Sequence, residues 1–471
     1  MKQTSPNGEH KLISAIALDL GTTSIKAGLL DQHGTISHIV TLPAPEIAVN
    51  EGRYESDALV YATAAEQALA ACLEQTNTKP PLGLCSQRSS FLIWDKASGQ
   101  PLTPLISWQD NRGAASCETL RPSENVICEL TGLRLTPYYF ATKLRVVLHE
   151  HPEWRERFER GELLAGTLDT FLIWRWSGGM HQVTDASMAA RTLLMDIQQQ
   201  QWSPVLCKLF DVPLNILPQI KPSTQMNLQL DNGLTLQASV GDQSAALVAS
   251  VSENSAEALV NLGTGGFVIR YLPEKINPPD GYLRTLIYQD INQRAHIAIE
   301  GTLNSIAAAL APYPVSECRT EDMGVNNIYC LAEPSGIGAP YFRADIGLRF
   351  SETVEHLTPR QIATLLLEGI IFRVARILED YHRTSALERV YLSGGLSELT
   401  CLQQGIALCV PFDVYRLQQK DSSLQGAAFL AAGMPATHNR QQEKIAVMHN
   451  TLTLTEKYQH WKTWLDDLLT C

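Results

Sequence analysis

Short apolar runs alternate along the chain with longer stretches whose apolar residues recur at helical spacing, which predicts an α/β protein. Residues 13–18 and 25–30 read as two strands joined by a tight turn. Residues 80–85 lead into a short strand, and residues 90–94 form another after a polar loop. Thr358 is placed to cap a helix, Pro359 suits its first position, and Gln361 completes a capping box before the helically spaced residues 362–378. Val390-Tyr391-Leu392-Ser393 reads as a strand ending in Gly394-Gly395 before another helix. Residues 458–469 resemble a terminal helix bearing Trp461 and Trp464. The polar stretch 250–255 separates two domains, 12–249 and 256–434. Residues 435–443 read as a linker into a tail, 435–471, and residues 1–11 as a polar, frayed start.

The turn between the first two runs, Asp19-Leu20-Gly21-Thr22-Thr23-Ser24, concentrates unusual chemistry. Its glycine lets the backbone turn sharply, so N–H groups and hydroxyls can converge on an anion. The carboxylate repels a bare phosphate but suits one carried with a divalent cation. An ordinary hairpin with polar turn residues accounts for the same letters. Leu262-Gly263-Thr264 then recurs between apolar runs, 263 − 21 = 242 positions later. That period is too long for a solenoid and fits two similar domains facing one nucleotide. Val240-Gly241-Asp242-Gln243 sets an aspartate between a strand end and an alanine-rich helix. It reads either as a helix cap or as a general base for a substrate hydroxyl.

Composition narrows the partners. A chain of 471 residues exceeds a single core and suits two domains plus a tail. The formal charge, 37 − 49 = −12, argues against nucleic acid or an anionic membrane as the partner. The ten cysteines show neither Cys-x-x-Cys pairs nor zinc spacing, so they read as reduced thiols of a cytoplasmic protein. No apolar run approaches transmembrane length, and no signal peptide is evident.

Across residues 16–433 the motifs, in order, resemble the FGGY carbohydrate kinases, above all the members that act on glycerol. The resemblance rests on Asp19-Leu20-Gly21-Thr22-Thr23-Ser24, Gln87-Arg88-Ser89-Ser90 with Trp94, and Ile106-Ser107-Trp108-Gln109. It continues through Gly166-Thr167-Leu168-Asp169, Val183-Thr184-Asp185-Ala186-Ser187, Gly241-Asp242-Gln243, Leu262-Gly263-Thr264-Gly265 and Gly336-Ile337-Gly338-Ala339-Pro340-Tyr341. It implies two actin-like, ribonuclease-H-like ATPase domains with a cleft between them, closing over ATP and substrate. By the same resemblance Asp242 is the general base and Asp19 positions Mg2+. Gly21, Thr22, Thr23 and Lys26 from the first domain, and Gly263, Thr264, Gly394 and Gly395 from the second, hold the nucleotide. Arg88, Ser89, Trp108, Tyr138, Asp242 and Gln243 line the acceptor site, with Phe267 as an apolar wall.

Departures qualify the carry-over. Ser89 stands where the glycerol-specific members have glutamate, so a strong acceptor of hydroxyl hydrogens is missing. Asp19-Leu20-Gly21 follows the sugar-specific members, and Lys26 replaces an arginine, losing its bidentate fork. On the adenosine side Leu399 replaces a polar residue, and the helix around residues 310–318 is trimmed. The expected activity is phosphorylation of a primary hydroxyl of a small polyol or sugar, glycerol first. A ketopentose of the xylulose or ribulose type is the alternative acceptor, and a catalytically weak sensor that binds nucleotide or sugar is the alternative role. The expected partner is a small molecule, with neither nucleic acid nor membrane; assembly is left open, a homodimer included.

Overall fold

The computed structural model describes residues 12–470 apart from 254–255, 274–275, 277, 419, 436–439 and 448–451. The frayed start expected at residues 1–11 therefore lies outside the described residues, as do parts of the expected domain boundary and linker. The chain forms two units. The first comprises residues up to Ala249, Leu286–His296 and the segment opening at Asp421. The second comprises Ser250–Thr285, Ile297–Lys420 and the segment from Arg440 onward.

The first unit is built on the predicted hairpin. Strands β1 (Ile13–Leu20) and β2 (Ser24–Asp31) pair antiparallel, and β3 (Ile36–Pro43) extends the hairpin. On its other side β1 runs parallel to β4 (Leu82–Ser86), all five residues of which are buried. Beyond β4 come β6 (Thr235–Gly241), parallel to it, and β5 (Thr224–Gln229), antiparallel to β6. Central parallel strands covered on both faces must be apolar throughout, which is why residues 82–85 carry no period-two signal. A smaller five-stranded sheet includes Phe91–Asp95 and Leu163–Thr167, and a second core containing Phe91, Phe140 and Phe158 lies against it.

The second unit repeats this plan. Its sheet holds β7 (Glu257–Leu262), β8 (Gly266–Tyr271), β9 (Leu283–Gln289, of which Leu283–Thr285 lie in this unit), β10 (Ala295–Leu303, in this unit from Ile297), β11 (Arg389–Ser393), β12 (Asp413–Leu417) and β13 (Gln442–Lys444). The order β10-β8-β7-β11-β12-β13 matches β3-β2-β1-β4-β6-β5 strand for strand. Parallel and antiparallel pairings also agree at every step. The two Gly-Thr turns thus follow equivalent strands, β1 and β7.

The long helix Pro359–Thr384 starts where its capping box predicts, with Thr358 Oγ1 accepting from Gln361 N at 3.3 Å and Gln361 Oε1 accepting from Thr358 N at 2.9 Å. The terminal helix Leu452–Thr470 is integral to the second unit's core. Trp461 is fully buried on it and donates to Cys330 O at 2.8 Å, and Lys457 pairs with buried Glu368. Residues 442 and 443, read as linker, belong to β13; its three exposed polar residues give no apolar alternation to detect. Among the described residues, no helix is long and apolar enough to cross a membrane, and the nine cysteines are free thiols.

Candidate active site

In the first unit Leu20 pairs with Ser86, and Ser86 with Gly241, so β1, β4 and β6 end side by side. Parallel strands that end together place their following turns around one crevice. These turns carry Gly21-Thr22-Thr23, Gln87-Arg88-Ser89 and Asp242-Gln243. Gly21 N donates to Ser24 O at 3.1 Å, and a Cβ at Gly21 would stand only 2.7 Å from that oxygen, which excludes a larger residue. The Thr22 hydroxyl accepts from Trp108 Nε1 at 2.9 Å and reaches Gln87 Oε1 at 3.4 Å. Ser90 completes the frame: its Oγ donates to Gln87 Oε1 at 2.9 Å and accepts from Trp108 N at 3.0 Å. The Trp108 ring meets Tyr138 edge-on at 5.3 Å.

Arg88 is buried, and its stem lies so close over Gly241 that a Cβ there would meet Arg88 Cδ at 2.8 Å. Its Nη2 donates to Gln243 Oε1, and its Nε stands 3.7 Å from Asp242 Oδ1. Asp242 opens the helix Asp242–Ser250, and its Oδ1 accepts from Gln243 N at 2.7 Å. The Asp242 side chain thus binds a helix-end N–H and keeps about a third (32%) of its surface exposed beside Arg88. Burial raises its carboxyl above the ordinary range, against the lowering pull of Arg88 and, more weakly, Arg191.

Across the crevice, burial together with the Asp242 charge pushes the Asp19 carboxyl up to about 7, opposed by a hydrogen bond with the Cys85 thiol and, less, by Lys26. Asp19 Oδ1 is buried without a hydrogen-bond partner. Lys26, opposite Asp19 in the β1–β2 register, is engaged by Asp421 Oδ1 at 2.5 Å. Thr23 stands exposed at the turn.

The Ser89 hydroxyl is taken up by a backbone carbonyl. The Ser89 backbone is left-handed (φ +63°), the residue is buried, and its hydroxyl donates to Arg191 O at 3.0 Å. Trp94 is a core residue packed against Phe171 and Trp174.

Sequence reasoning missed Lys143. It lies on the helix Phe140–Glu150 among the apolar positions Phe140, Leu144 and Val147, and a lysine inside an apolar stripe was the available signal. Fully buried, its Nζ donates to Ser89 O at 2.9 Å and Ser107 O at 2.8 Å, tying the Arg88 segment to the Trp108 segment. Burial lowers its pKa to about 7, with Asp110 opposing. Lys143→Met strips the donor from two carbonyls and is expected to cost about 2–4 kcal/mol. Calorimetry should show the transition of the first unit falling by roughly 5–15 °C. An unchanged transition would mean that these carbonyls find other partners.

The second unit presents an equivalent turn by itself. Gly263 N donates to Gly265 O at 2.9 Å, and Thr264 is exposed beyond the end of β7. The neighbouring β11 is followed by Gly394, whose left-handed backbone (φ +86°) lies so near β7 that a Cβ would meet Leu262 O at 2.4 Å. Gly394 and Gly395 are therefore exposed beside the Gly263 turn. Phe267 is half-buried on β8, opposite Asn261 and Thr302. Leu399 packs against the core, and the helix Ile306–Leu310 spans only five residues.

Comparison with known proteins identifies the family. The chain is 29% identical to a glycerol kinase of Roseobacter denitrificans, covering 96% of this chain and 99% of that one. It is 30% identical to an apulose kinase of Pectobacterium atrosepticum, covering 95% and 97%. Its fold matches the crystal structure of Plasmodium falciparum glycerol kinase with ADP at a TM-score of 0.87, with 22% identity over 96% of this chain and 98% of that one. It also matches a xylulose kinase of Lactobacillus acidophilus at 0.79, with 18% identity over 96% and 98%. The model of the N-terminal domain of the FGGY family of carbohydrate kinases matches residues 14–256, and that of the C-terminal domain matches residues 258–434. With nearly its whole length so matched, and with the two sheets sharing one plan, the chain belongs to the FGGY family of carbohydrate kinases.

Proposed function

We propose that this kinase transfers the γ-phosphoryl group of ATP to a primary hydroxyl of a small polyol or sugar, with glycerol the favoured acceptor and Asp242 the general base. The observation that carries the reading is the Asp242 carboxylate, accessible beside Arg88 and Gln243 and made more basic by burial. An alcohol becomes a competent nucleophile as its proton leaves, and a carboxylate with a raised pKa is the better acceptor for that proton. Asp242 takes the hydroxyl proton while the oxygen attacks the γ-phosphorus and ADP departs. Arg88 donates to acceptor hydroxyls, and Trp108 with Tyr138 supplies an aromatic wall for the carbon chain.

The Gly21-Thr22-Thr23 turn and the Gly263-Thr264 turn, with Gly394 and Gly395, are proposed to bind the nucleotide phosphates and adenosine. The partnerless buried Oδ1 of Asp19 fits a magnesium ion or its water shell. Magnesium, when bound, offsets the charge of the phosphates. Since the Asp19 carboxyl holds its proton up to about 7, binding of a magnesium–nucleotide analogue must release that proton at lower pH. Affinity should therefore rise about tenfold per pH unit below 7 and level off above it, by titration calorimetry. Asp19→Asn should abolish that part of the slope; equal slopes in both proteins would remove Asp19 from the metal site.

Glycerol is favoured by the similarity to the Roseobacter glycerol kinase. A ketopentose is the second reading, supported by the Pectobacterium apulose kinase and by Ser89, whose hydroxyl is spent on Arg191 O. A coupled ADP-release screen over glycerol, erythritol, pentitols, ketopentoses and hexonates tests both. The highest kcat/KM on glycerol supports the first reading; a ketopentose in the lead replaces it with the second.

A further inference from the structure

We propose that Ser187 is a positioning residue for Asp242: its hydroxyl fixes the Val240–Gly241 peptide that leads into Asp242, and Asp185 and Ser223 hold that hydroxyl in place. The inference rests on the reading of Asp242 as the general base. Asp242 itself has few restraints on its side chain, which is part-exposed, bonded to the adjacent Gln243 N–H and 3.7 Å from Arg88. Its aim is therefore set mainly by the backbone that carries it.

That backbone is gripped on two sides. Gly241 N donates to Ser187 Oγ at 2.9 Å, while the Arg88 stem covers the Gly241 Cα. Ser187 is fully buried and spends its own hydrogen on Asp185 Oδ1 at 3.1 Å, which leaves a lone pair for the Gly241 N–H. Asp185 is an anchor rather than a reactive group, because four donors occupy its buried carboxylate. They are Ser187 N at 2.8 Å, Met188 N at 3.0 Å, Ser187 Oγ, and Ser223 Oγ at 2.6 Å. Ser223 is held in turn, its Oγ accepting from Gln289 N at 3.0 Å and its N–H donating to Gln289 O at 2.8 Å. A buried network satisfied at each of these steps is rigid, and rigidity behind a catalytic carboxylate has kinetic value.

The test is steady-state kinetics on the acceptor that gives the fastest ADP release, in wild type, Ser187→Ala, Ser187→Thr, Asp242→Asn and Ser187→Ala/Asp242→Asn. Ser187→Ala leaves the Gly241 N–H buried without its partner. It should lower kcat about tenfold or more while KM moves less than about twofold. Ser187→Thr, which restores the hydroxyl, should recover most of the rate. In the Asp242→Asn background the same alanine should change little, because the group it positions is already gone. Ser223→Ala, one link further out, should show a smaller fall of the same kind, and it carries the test if Ser187→Ala does not fold. An unchanged kcat in Ser187→Ala, or an equal fall with and without Asp242, would overturn the positioning role while leaving the base intact. Wild-type turnover in Asp242→Asn would instead overturn the base, and the inference with it.

Discussion

Asp242→Asn should lower kcat by about 10²–10⁴-fold with little change in the binding of nucleotide or acceptor. Asparagine keeps the shape of the side chain, the hydrogen bond from Gln243 N and the neighbourhood of Arg88, so the helix start is retained. What it loses is the site that receives the hydroxyl proton. Without that site the acceptor oxygen must attack with its proton still attached or pass it to water. Steady-state rates, with acceptor affinity from calorimetry, separate this from a binding defect. Turnover near wild type would remove Asp242 from the chemistry and leave it as a helix cap.

The second large effect is expected in the other unit. Arg373 and Glu333 form an ion pair at 2.7 Å with essentially no exposed surface. Glu333 Oε2 accepts from Asn304 N and Gly338 N, both at 2.8 Å, while Arg373 Nη2 donates to Ala339 O at 2.7 Å. The pair thus holds the segment after β10 against the Gly336-Ile337-Gly338-Ala339-Pro340-Tyr341 loop. Arg373→Met leaves a carboxylate buried without its counter-charge, which should cost about 3–5 kcal/mol. Adding Glu333→Gln, which removes the stranded charge, should recover part of that loss. Thermal unfolding followed by calorimetry gives both values; a second substitution that only adds to the damage would show that the pair's charges are not coupled.

The parts of the site that were legible in the sequence are those in which chemistry and backbone shape coincide. Gly21-Thr22, Gly263-Thr264 and Gly241-Asp242 each need a glycine and a polar side chain within two or three positions, so the signal is local. The Thr358 cap was legible for the same reason, since all its bonding atoms lie within one turn. Lys143, Arg191 and Asp421 were illegible because each acts across the fold. Asp421 meets Lys26 from 395 positions away, and Arg191 meets Ser89 from 102. The partner of the Ser89 hydroxyl was hidden for a related reason, because its type was visible but the bond to Arg191 O is made from a left-handed backbone that no neighbouring glycine announces. The repeat of two sheets was hinted at by three letters, Leu-Gly-Thr, while its real content is the pairing order, which sequence periodicity does not carry.

The return of the chain at Asp421 governs how the protein is made. The helix Ser422–Ala432 lies on β4 and on the helix Asp242–Ser250 with almost no space between backbones. A Cβ at Gly83 would meet Ala427 O at 2.2 Å, and one at Gly426 would overlap Ala245 O outright. The first unit therefore waits for a helix that lies 421 − 250 = 171 residues beyond its own main segment. At about 5–20 residues per second, a ribosome needs roughly 10–35 s to supply it. Through that interval the nascent first unit presents an uncovered apolar sheet face, whereas the second unit's strands emerge meanwhile. A fragment ending near residue 250 should keep that face open permanently, so chaperone dependence and aggregation, rather than independent folding, are the behaviour to expect of it.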